Sequence, residues 1–342
     1  MEPTSSNKPS LLLVLVAFAT IYIVWGSTYF FIQMAVHGFP PMLLGAFRFL
    51  IAGLLLLTWC FIKGDRIWLK KDIRSAAVSG LLMLFTATGG IIWAEQSLPS
   101  AIVAIMVSAN PIWFVALDKA NWKVNLSNKS TIAGLIVGFA GVILLFAEAI
   151  VKSFAGTITS TQIIALVLVM VDPIAWSLGA LLSKKSSGNT PARVSSAWQM
   201  IIAGLAFVLA ALFHNEFSQF HISKVPANAW MALGYLIVFG SIGAFSAYIW
   251  LLKVRTAVQV SSHSYVNPVV AVILGVLFAH ESISTLQLVG LLVILFSVLL
   301  INAKKYAFKK PKISLPDPDQ KRELKSYKTK TLLHTYELSI NK

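Results

Sequence analysis

Residues 162–183 read QIIALVLVMVDPIAWSLGALLS. The run is apolar except for one charged residue, Asp172, set near its centre beside Pro173. A helix needs about 20 mainly apolar residues to cross the hydrocarbon of a bilayer, and this stretch meets that requirement. An aspartate at the middle of such a helix costs on the order of 2.5–3.5 kcal/mol on insertion scales. The segment therefore predicts a membrane-spanning helix whose acid faces a cavity or a partner, and the rest of the chain should supply both.

Nine further stretches approach the same length and character: roughly 11–32, 41–62, 75–93, 100–117, 131–148, 196–213, 229–250, 258–279 and 285–302. Composition agrees, because 57% of the 342 residues are hydrophobic and only 12% charged, against roughly 25% charged in a soluble domain. Too few polar side chains exist to cover a water-facing surface. The lone cysteine, Cys60, lies in an apolar run, which leaves no disulfide framework and no zinc-type ligand spacing. No metal, cofactor or catalytic residue is predicted. The first apolar run is too long for a signal-peptide core and is taken as the first span.

The formal charge of +15 would point to nucleic acid in a soluble protein. Here its placement argues otherwise. With the amino terminus in the cytoplasm, the inner segments collect twenty-five of the 28 basic residues, while the outer loops hold only Lys152 and Lys224 and Arg48 lies within a span. Basic residues are retained on the cytoplasmic side, so both termini are expected there. The tail 303–342 starts with Lys304, Lys305, Lys309, Lys310 and Lys312, then Pro311, Pro316 and Pro318. It is expected to be a disordered segment attracted to anionic lipid, with protein binding as the alternative.

An internal repeat organises the spans. Trp25-Gly26-Ser27-Thr28 pairs with Trp176-Ser177-Leu178-Gly179, and Arg48 with Gln199, both at an offset of 151; Trp93 pairs with Trp250, and Asn110-Pro111 with Asn267-Pro268, at 157. Five helices per copy is an odd number, so the second copy enters the membrane from the opposite side. The predicted fold class is an all-α membrane protein of ten transmembrane helices in two inverted five-helix repeats: 1–10 a cytoplasmic amino terminus, 11–149 the first repeat, 150–161 an outer linker, 162–302 the second repeat, and 303–342 the tail. Inverted repeats provide two near-equivalent arrangements opening to opposite sides, with a solute site near midplane.

The run Trp25-Gly26-Ser27-Thr28-Tyr29, the pair Arg48-Phe49, Trp93-Ala94-Glu95-Gln96 with Pro99-Ser100, and Asn267-Pro268 followed by Gly275 and Glu281 resemble the EamA-type family of the drug/metabolite transporter superfamily. The resemblance covers about residues 11–302. It implies ten helices, a bacterial inner membrane and a central cavity lined by spans 1, 3, 4, 6, 8 and 9. One departure is visible: Glu281 follows Asn267 by fourteen residues, but the equivalent first-repeat position is Val124, so Glu281 is given no transport role.

The candidates for chemistry are few. Asp172 is expected to bind solute, a cation or a proton, or else to hydrogen-bond a neighbouring helix, and Pro173 frees the carbonyl of Val169. Arg48 and Glu95 match in depth as a gating or structural ion pair, with capture of a substrate carboxylate by Arg48 as the alternative. Asn110-Pro111 and Asn267-Pro268 mark matched helix interruptions, and His263 and Tyr265 flank the second. Trp25, Tyr29 and Trp176 are candidate cavity walls for an amphipathic or cationic solute. Gly134, Gly138 and Gly141 suit close packing within the bundle, or a homodimer contact.

Transport of a small metabolite, amino acid or drug-like solute, in the direction of efflux and with possible proton or cation coupling, is the expected function. No Walker-type phosphate loop is present, which argues against direct use of ATP. The competing classes are a membrane enzyme or lipid-handling flippase, for which His214, Glu216 and His221 offer a thin loop cluster, and a channel, for which no filter-like loop is found.

Overall fold

The computed structural model describes residues 9–68, 70–98, 100–154, 159–186, 190–279 and 284–306. Among these, all regular structure is helical. The principal helices are α1 (Leu11–Val36), α2 (Pro41–Ile62), α3 (Lys70–Ala94), α4 (Ile102–Leu117), α5 (Lys129–Leu145), α6 (Ser160–Ser186), α7 (Ala192–Phe213), α8 (Ala227–Val254), α9 (His263–Ala279, preceded by the turn Ala257–Ser261) and α10 (Thr285–Tyr306). Among the described residues, seven segments are long and apolar enough to cross a membrane, or eight if α4 and the bent continuation Lys119–Ser127 count as one; α5 and the stretch Thr285–Ile301 of α10 are apolar but shorter. Each predicted apolar run coincides with one of these helices. Glu281 and most of the basic tail lie outside the described residues.

The helix starts follow ordinary capping chemistry. Ser10 accepts the amide of Leu13 at 3.2 Å to open α1, and α2 opens on Pro41, a residue that fits the first turn because it has no N–H to satisfy. Two more amides at that end, Met42 and Leu43, donate to the buried carboxylate of Glu216 at 3.3 and 2.9 Å. Glu216 is thus engaged as a helix cap contributed by the loop after α7, which removes it from any loop cluster of enzymatic residues.

Polarity is arranged inside out. Leu54, Leu55, Trp59, Ile163, Ile164 and Val167 are exposed along the bundle surface, whereas Arg48, Asp172, Asn110, Gln199, His263 and Asn267 are buried. Such a surface is compatible with lipid and not with water, and the chain is a multi-pass membrane protein.

Helix pairing is unchanged when α1–α4 are exchanged for α6–α9. The helix α1 packs on α9 and α8, while α6 packs on α4 and α3; α2 and α7 pack on each other. A further correspondence was not visible in the sequence: Leu81–Thr88 within α3 and Leu236–Phe245 within α8 are both π-helical. The widened turn shifts each carbonyl from its usual partner and recurs at functional sites.

The glycine face of α5 is used inside the molecule. A Cβ at Gly134 would lie 2.7 Å from Ile301, at Gly138 2.6 Å from Ser297 and Tyr265, and at Gly141 2.9 Å from Ile294. On α10, a Cβ at Gly290 would lie 2.5 Å from the backbone nitrogen of Leu145. These glycines let α5 and α10 approach backbone to backbone, so the face is occupied and cannot serve as the dimer contact entertained from sequence. Gly290→Ala is expected to destabilise the protein by about 1–3 kcal/mol through overpacking, seen as a lower melting temperature in detergent; an unchanged melting temperature would contradict this packing.

Candidate functional site

A cavity lies between the halves of the bundle. Its wall includes Trp25, Thr28 and Tyr29 of α1, Arg48 and Phe49 of α2, and Leu84 and Thr88 of α3, with Asn110 from α4. The other half contributes Asp172 and Trp176 of α6, Gly240, Ser241 and Phe245 of α8, and His263 and Asn267 of α9. About 70 Å³ is open to the centres of water-sized molecules, where one water needs roughly 10–15 Å³. The space therefore suits several waters or a small solute. The expected lining spans contribute, and α2 joins them through Arg48 and Phe49.

Both π-helical segments face this space, Leu84 and Thr88 from one, Gly240, Ser241 and Phe245 from the other. The carbonyl of Gly240 accepts the indole N–H of Trp25 at 3.1 Å, and the carbonyl of Met83 accepts the Thr88 hydroxyl at 3.2 Å. A carbonyl of a π-helical segment, that of Gly240, thus serves as an acceptor at the cavity wall.

Four rings close one end of the cavity. Trp25 meets Trp176 edge-on at 5.4 Å, Tyr248 at 5.0 Å and His263 at 4.9 Å, while Tyr248 lies 5.4 Å from Trp176 and 5.5 Å from His263. Trp176 donates its N–H to the Tyr248 hydroxyl at 2.8 Å. On each of α1, α6, α8 and α9, the ring lies nearer to the end carrying the basic loops than the remaining cavity residues do. Beyond this floor, ties run between elements: Tyr22 bonds Ser262 at 2.7 Å, Trp198 donates to the Ile67 carbonyl at 2.8 Å, Lys184 to the Leu252 carbonyl at 2.6 Å and Lys253 to the Thr190 carbonyl, and Thr190 donates to Asp72, and Ser75 to Ser186. Arg193 forms a two-pronged ion pair with Asp65 at 2.5 and 2.7 Å, and its guanidinium holds the Asp65 carboxyl below the usual carboxylate range. That tie is therefore complete above the ordinary carboxylate pKa of about 4 and is lost as pH falls through the lowered value.

The charged residues of the cavity differ in their engagement. Arg48 donates Nε–H to Ser241 at 2.9 Å and lies over the Phe49 ring at 4.9 Å, while its Nη1 has no hydrogen-bond partner among the described residues. Its bond goes to the second half of the chain and not to Glu95, the ion-pair partner expected from matched depth. Glu95 is buried near Tyr29 but outside the cavity wall. Depth read from spacing gave the level of each residue but not its rotational position, and Arg48 points toward α8. Asp172 is 1% exposed and neither carboxylate oxygen has a hydrogen-bond partner among the described residues.

Most sequence candidates meet here: Trp25, Tyr29, Arg48, Asn110, Asp172, Trp176, His263 and Asn267. Tyr265 does not. Its ring packs against Gly138 and its hydroxyl donates to the Leu135 carbonyl at 2.9 Å, which makes it a bolt between α9 and α5. The interruptions also fall slightly earlier than the prolines: turns replace the regular helix at Ser108–Ala109 and again at Ser262, so Pro111 sits in the first turn of the resumed helix. Pro173 and Pro268 lie within continuous helices. The residues missed from sequence are Tyr248, Ser241, Gly240 and Thr88. Gly240, Ser241 and Thr88 lie in the π-helical segments and Tyr248 follows one of them in regular helix, and no sequence motif announced them.

The EamA-like transporter family model matches residues 10–147 and again 163–303. The chain belongs to this family. An uncharacterized inner membrane transporter of Escherichia coli, YedA, is 31% identical over 294 residues, spanning 85% of this chain and 91% of that protein. The uncharacterized transporter YvbV of Bacillus subtilis is 27% identical over 318 residues, 92% of this chain and 98% of its own. A solved crystal structure superposes with a TM-score of 0.70 at 17% identity, covering 87% of this chain and all of that one, a likeness of fold. As an EamA member of the drug/metabolite transporter superfamily, the protein is a secondary transporter.

The floor makes a direct prediction. Tyr248→Phe leaves the buried Trp176 N–H without its acceptor, at a cost of about 1–3 kcal/mol. Thermal unfolding in detergent should show a matching loss of stability, and a neutral result would remove the Trp176–Tyr248 bond from the account of the floor.

Proposed function

We propose that the protein exports a small polar or amphipathic solute by alternating access. It would do so as ten spans in two inverted five-helix repeats, with both termini in the cytoplasm of a bacterial cell and the chain in the inner membrane. The observation that carries this reading is the cavity itself: buried polar and charged groups from both halves converge on one space, and matched residues such as Trp25 and Trp176, or Asn110 and Asn267, both line it. The concentration of basic residues in the alternate loops supports the orientation. In that orientation the aromatic floor and its ties close the cytoplasmic end, and the movement between states consists of releasing these ties while forming others at the outer end.

Asp172 is the coupling candidate, taking a proton or a cation in exchange for solute. Purified protein in proteoliposomes is expected to move solute down an imposed gradient. Asp172→Asn should reduce gradient-driven transport by about tenfold or more, the worth of a hydrogen bond to a charged group; full activity in that variant would exclude the acid from coupling. A second test addresses the closed end. With Cys60 replaced by Ser, cysteines introduced at Ser75 and Ser186 and joined by a short crosslinker should abolish turnover and leave solute binding intact. Unimpeded turnover of the crosslinked protein would sink the alternating-access reading, and unitary currents across a planar bilayer would favour a channel.

A further inference from the structure

The wall that α1 and α2 give to the cavity has a counterpart in the second half, and that counterpart is shut. At the repeat offset of 151, Thr28, Tyr29 and Ile32 of α1 correspond to Gly179, Ala180 and Ser183 of α6, and Arg48 of α2 to Gln199 of α7. The first set lines the cavity. The second lies toward the basic loops, Ser183 being about two turns beyond Trp176 of the floor, and is packed against α3. A Cβ at Gly179 would lie 2.6 Å from Met83 and 3.1 Å from the Ser79 carbonyl oxygen, and one at Gly80 2.5 Å from the carbonyl oxygen of Gln199. This closed seam is nevertheless polar. Gln199 is fully buried and donates its amide to Ser183 at 3.2 Å and Ser195 at 3.0 Å, while its Oε1 has no hydrogen-bond partner among the described residues. The hydroxyls of Ser79 and Ser196, equally buried, also lack one there. Buried polar atoms without partners are costly, so the seam is better suited to a state in which water or solute reaches it.

We propose that Gln199, with Ser183 and Ser79, forms a second solute-facing wall, exposed when the pathway opens to the cytoplasm and standing there where Arg48 stands in the present conformation. This rests on the transport reading above and deepens it. When access changes sides in an inverted repeat, each half takes up the arrangement of the other, so the seam of α6 and α7 with α3 parts as the outer seam closes. The two seams differ now in the expected sense. At the outer one, a Cβ at Gly240 would meet Arg48 and Thr28 side chains at 3.2 and 3.4 Å, whereas at the inner one α3 presses directly on the α7 backbone at Gly80. Gly80 and Gly179 permit that closure, and the amide and hydroxyls give the seam something to bind once it is open. The inner wall is uncharged, so it offers neutral hydrogen bonds to a polar group of the solute or to water. Charge-assisted hydrogen bonds such as Arg48 can make are the stronger kind, and the two conformations therefore grip the same acceptor group unequally.

The test uses the full-length protein in membrane vesicles, with Cys60 replaced by Ser and single cysteines probed by the charged, membrane-impermeant thiol reagent MTSET, read by mass spectrometry. The variants are Gln199→Cys and Ser183→Cys at the inner wall, Thr28→Cys in the present cavity, and Leu205→Cys, which is exposed on the lipid face of α7. Gln199→Cys and Ser183→Cys should be modified in inside-out vesicles and protected in right-side-out ones, with Leu205→Cys unmodified in both. Adding Arg193→Gln, which removes the ion pair to Asp65 at the inner end, should speed their modification about two- to fivefold. Should Gln199→Cys fail to fold, Ser183→Cys decides alone. Protection of the inner-wall positions from the cytoplasmic side, while Thr28→Cys is modified from there, overturns this assignment and leaves alternating access standing. Modification from the outer side, or at a rate that Arg193→Gln leaves unchanged, marks a permanent crevice and overturns it as well. If no position, Thr28 included, is reached from the cytoplasmic side, the transport reading falls and this assignment with it.

Discussion

Hydrocarbon as a solvent is the constraint on which the structure depends. A polar group facing lipid has no partner there, so polar residues within the apolar segments are favoured where they bond to a neighbour or gather where neighbours leave room. Thr20, Ser27 and Ser108 take the first course by returning their hydroxyls to backbone carbonyls of their own helices. Arg48, Asn110, Asp172, His263 and Asn267 take the second and define the cavity. One physical rule thus produces both the smooth exterior and the polar centre.

The way the helices depart from regularity follows from the same rule. A carbonyl bonded along a straight α-helix has one lone pair left, aimed along its own helix surface. The π-helical segments of α3 and α8, at matched places in the two halves, and the turns in α4 and before α9 interrupt that ladder and re-aim carbonyls. Gly240 shows the use made of one, which anchors Trp25 through its indole N–H. Close packing elsewhere, at the α5–α10 contact and between α2 and α7, keeps these irregular segments in register.

The two halves share a plan without being equivalent. Matched residues, Trp25 with Trp176 and Asn110 with Asn267, line the cavity from both halves, while Tyr248 and His263 of the floor stand where the first half has Ile91 and Met106. Arg48 and Asp172, which also lack like counterparts, carry its charge. A symmetric scaffold with an asymmetric centre separates the machinery of movement from the selection of what is moved, which accords with a family whose scaffold recurs in relatives from Escherichia coli and Bacillus subtilis.

The apolar runs, the repeat offsets of 151 and 157 and the eight cavity residues that lie in or beside repeated motifs were legible in the sequence, because length and polarity report directly on a hydrocarbon solvent. Azimuth was not. Arg48 and Glu95 have matching depth, yet Arg48 turns to Ser241; Tyr265 neighbours His263, yet points to α5. In an apolar bundle both faces of a helix are hydrophobic, so periodicity cannot tell a cavity-facing residue from one that faces another helix. The sequence by itself determined that the chain lives in lipid, repeats itself and buries an acid. Only the tertiary structure decided which polar groups meet, since that depends on helix rotation and π-helical register, and these are set by packing between segments distant in the chain.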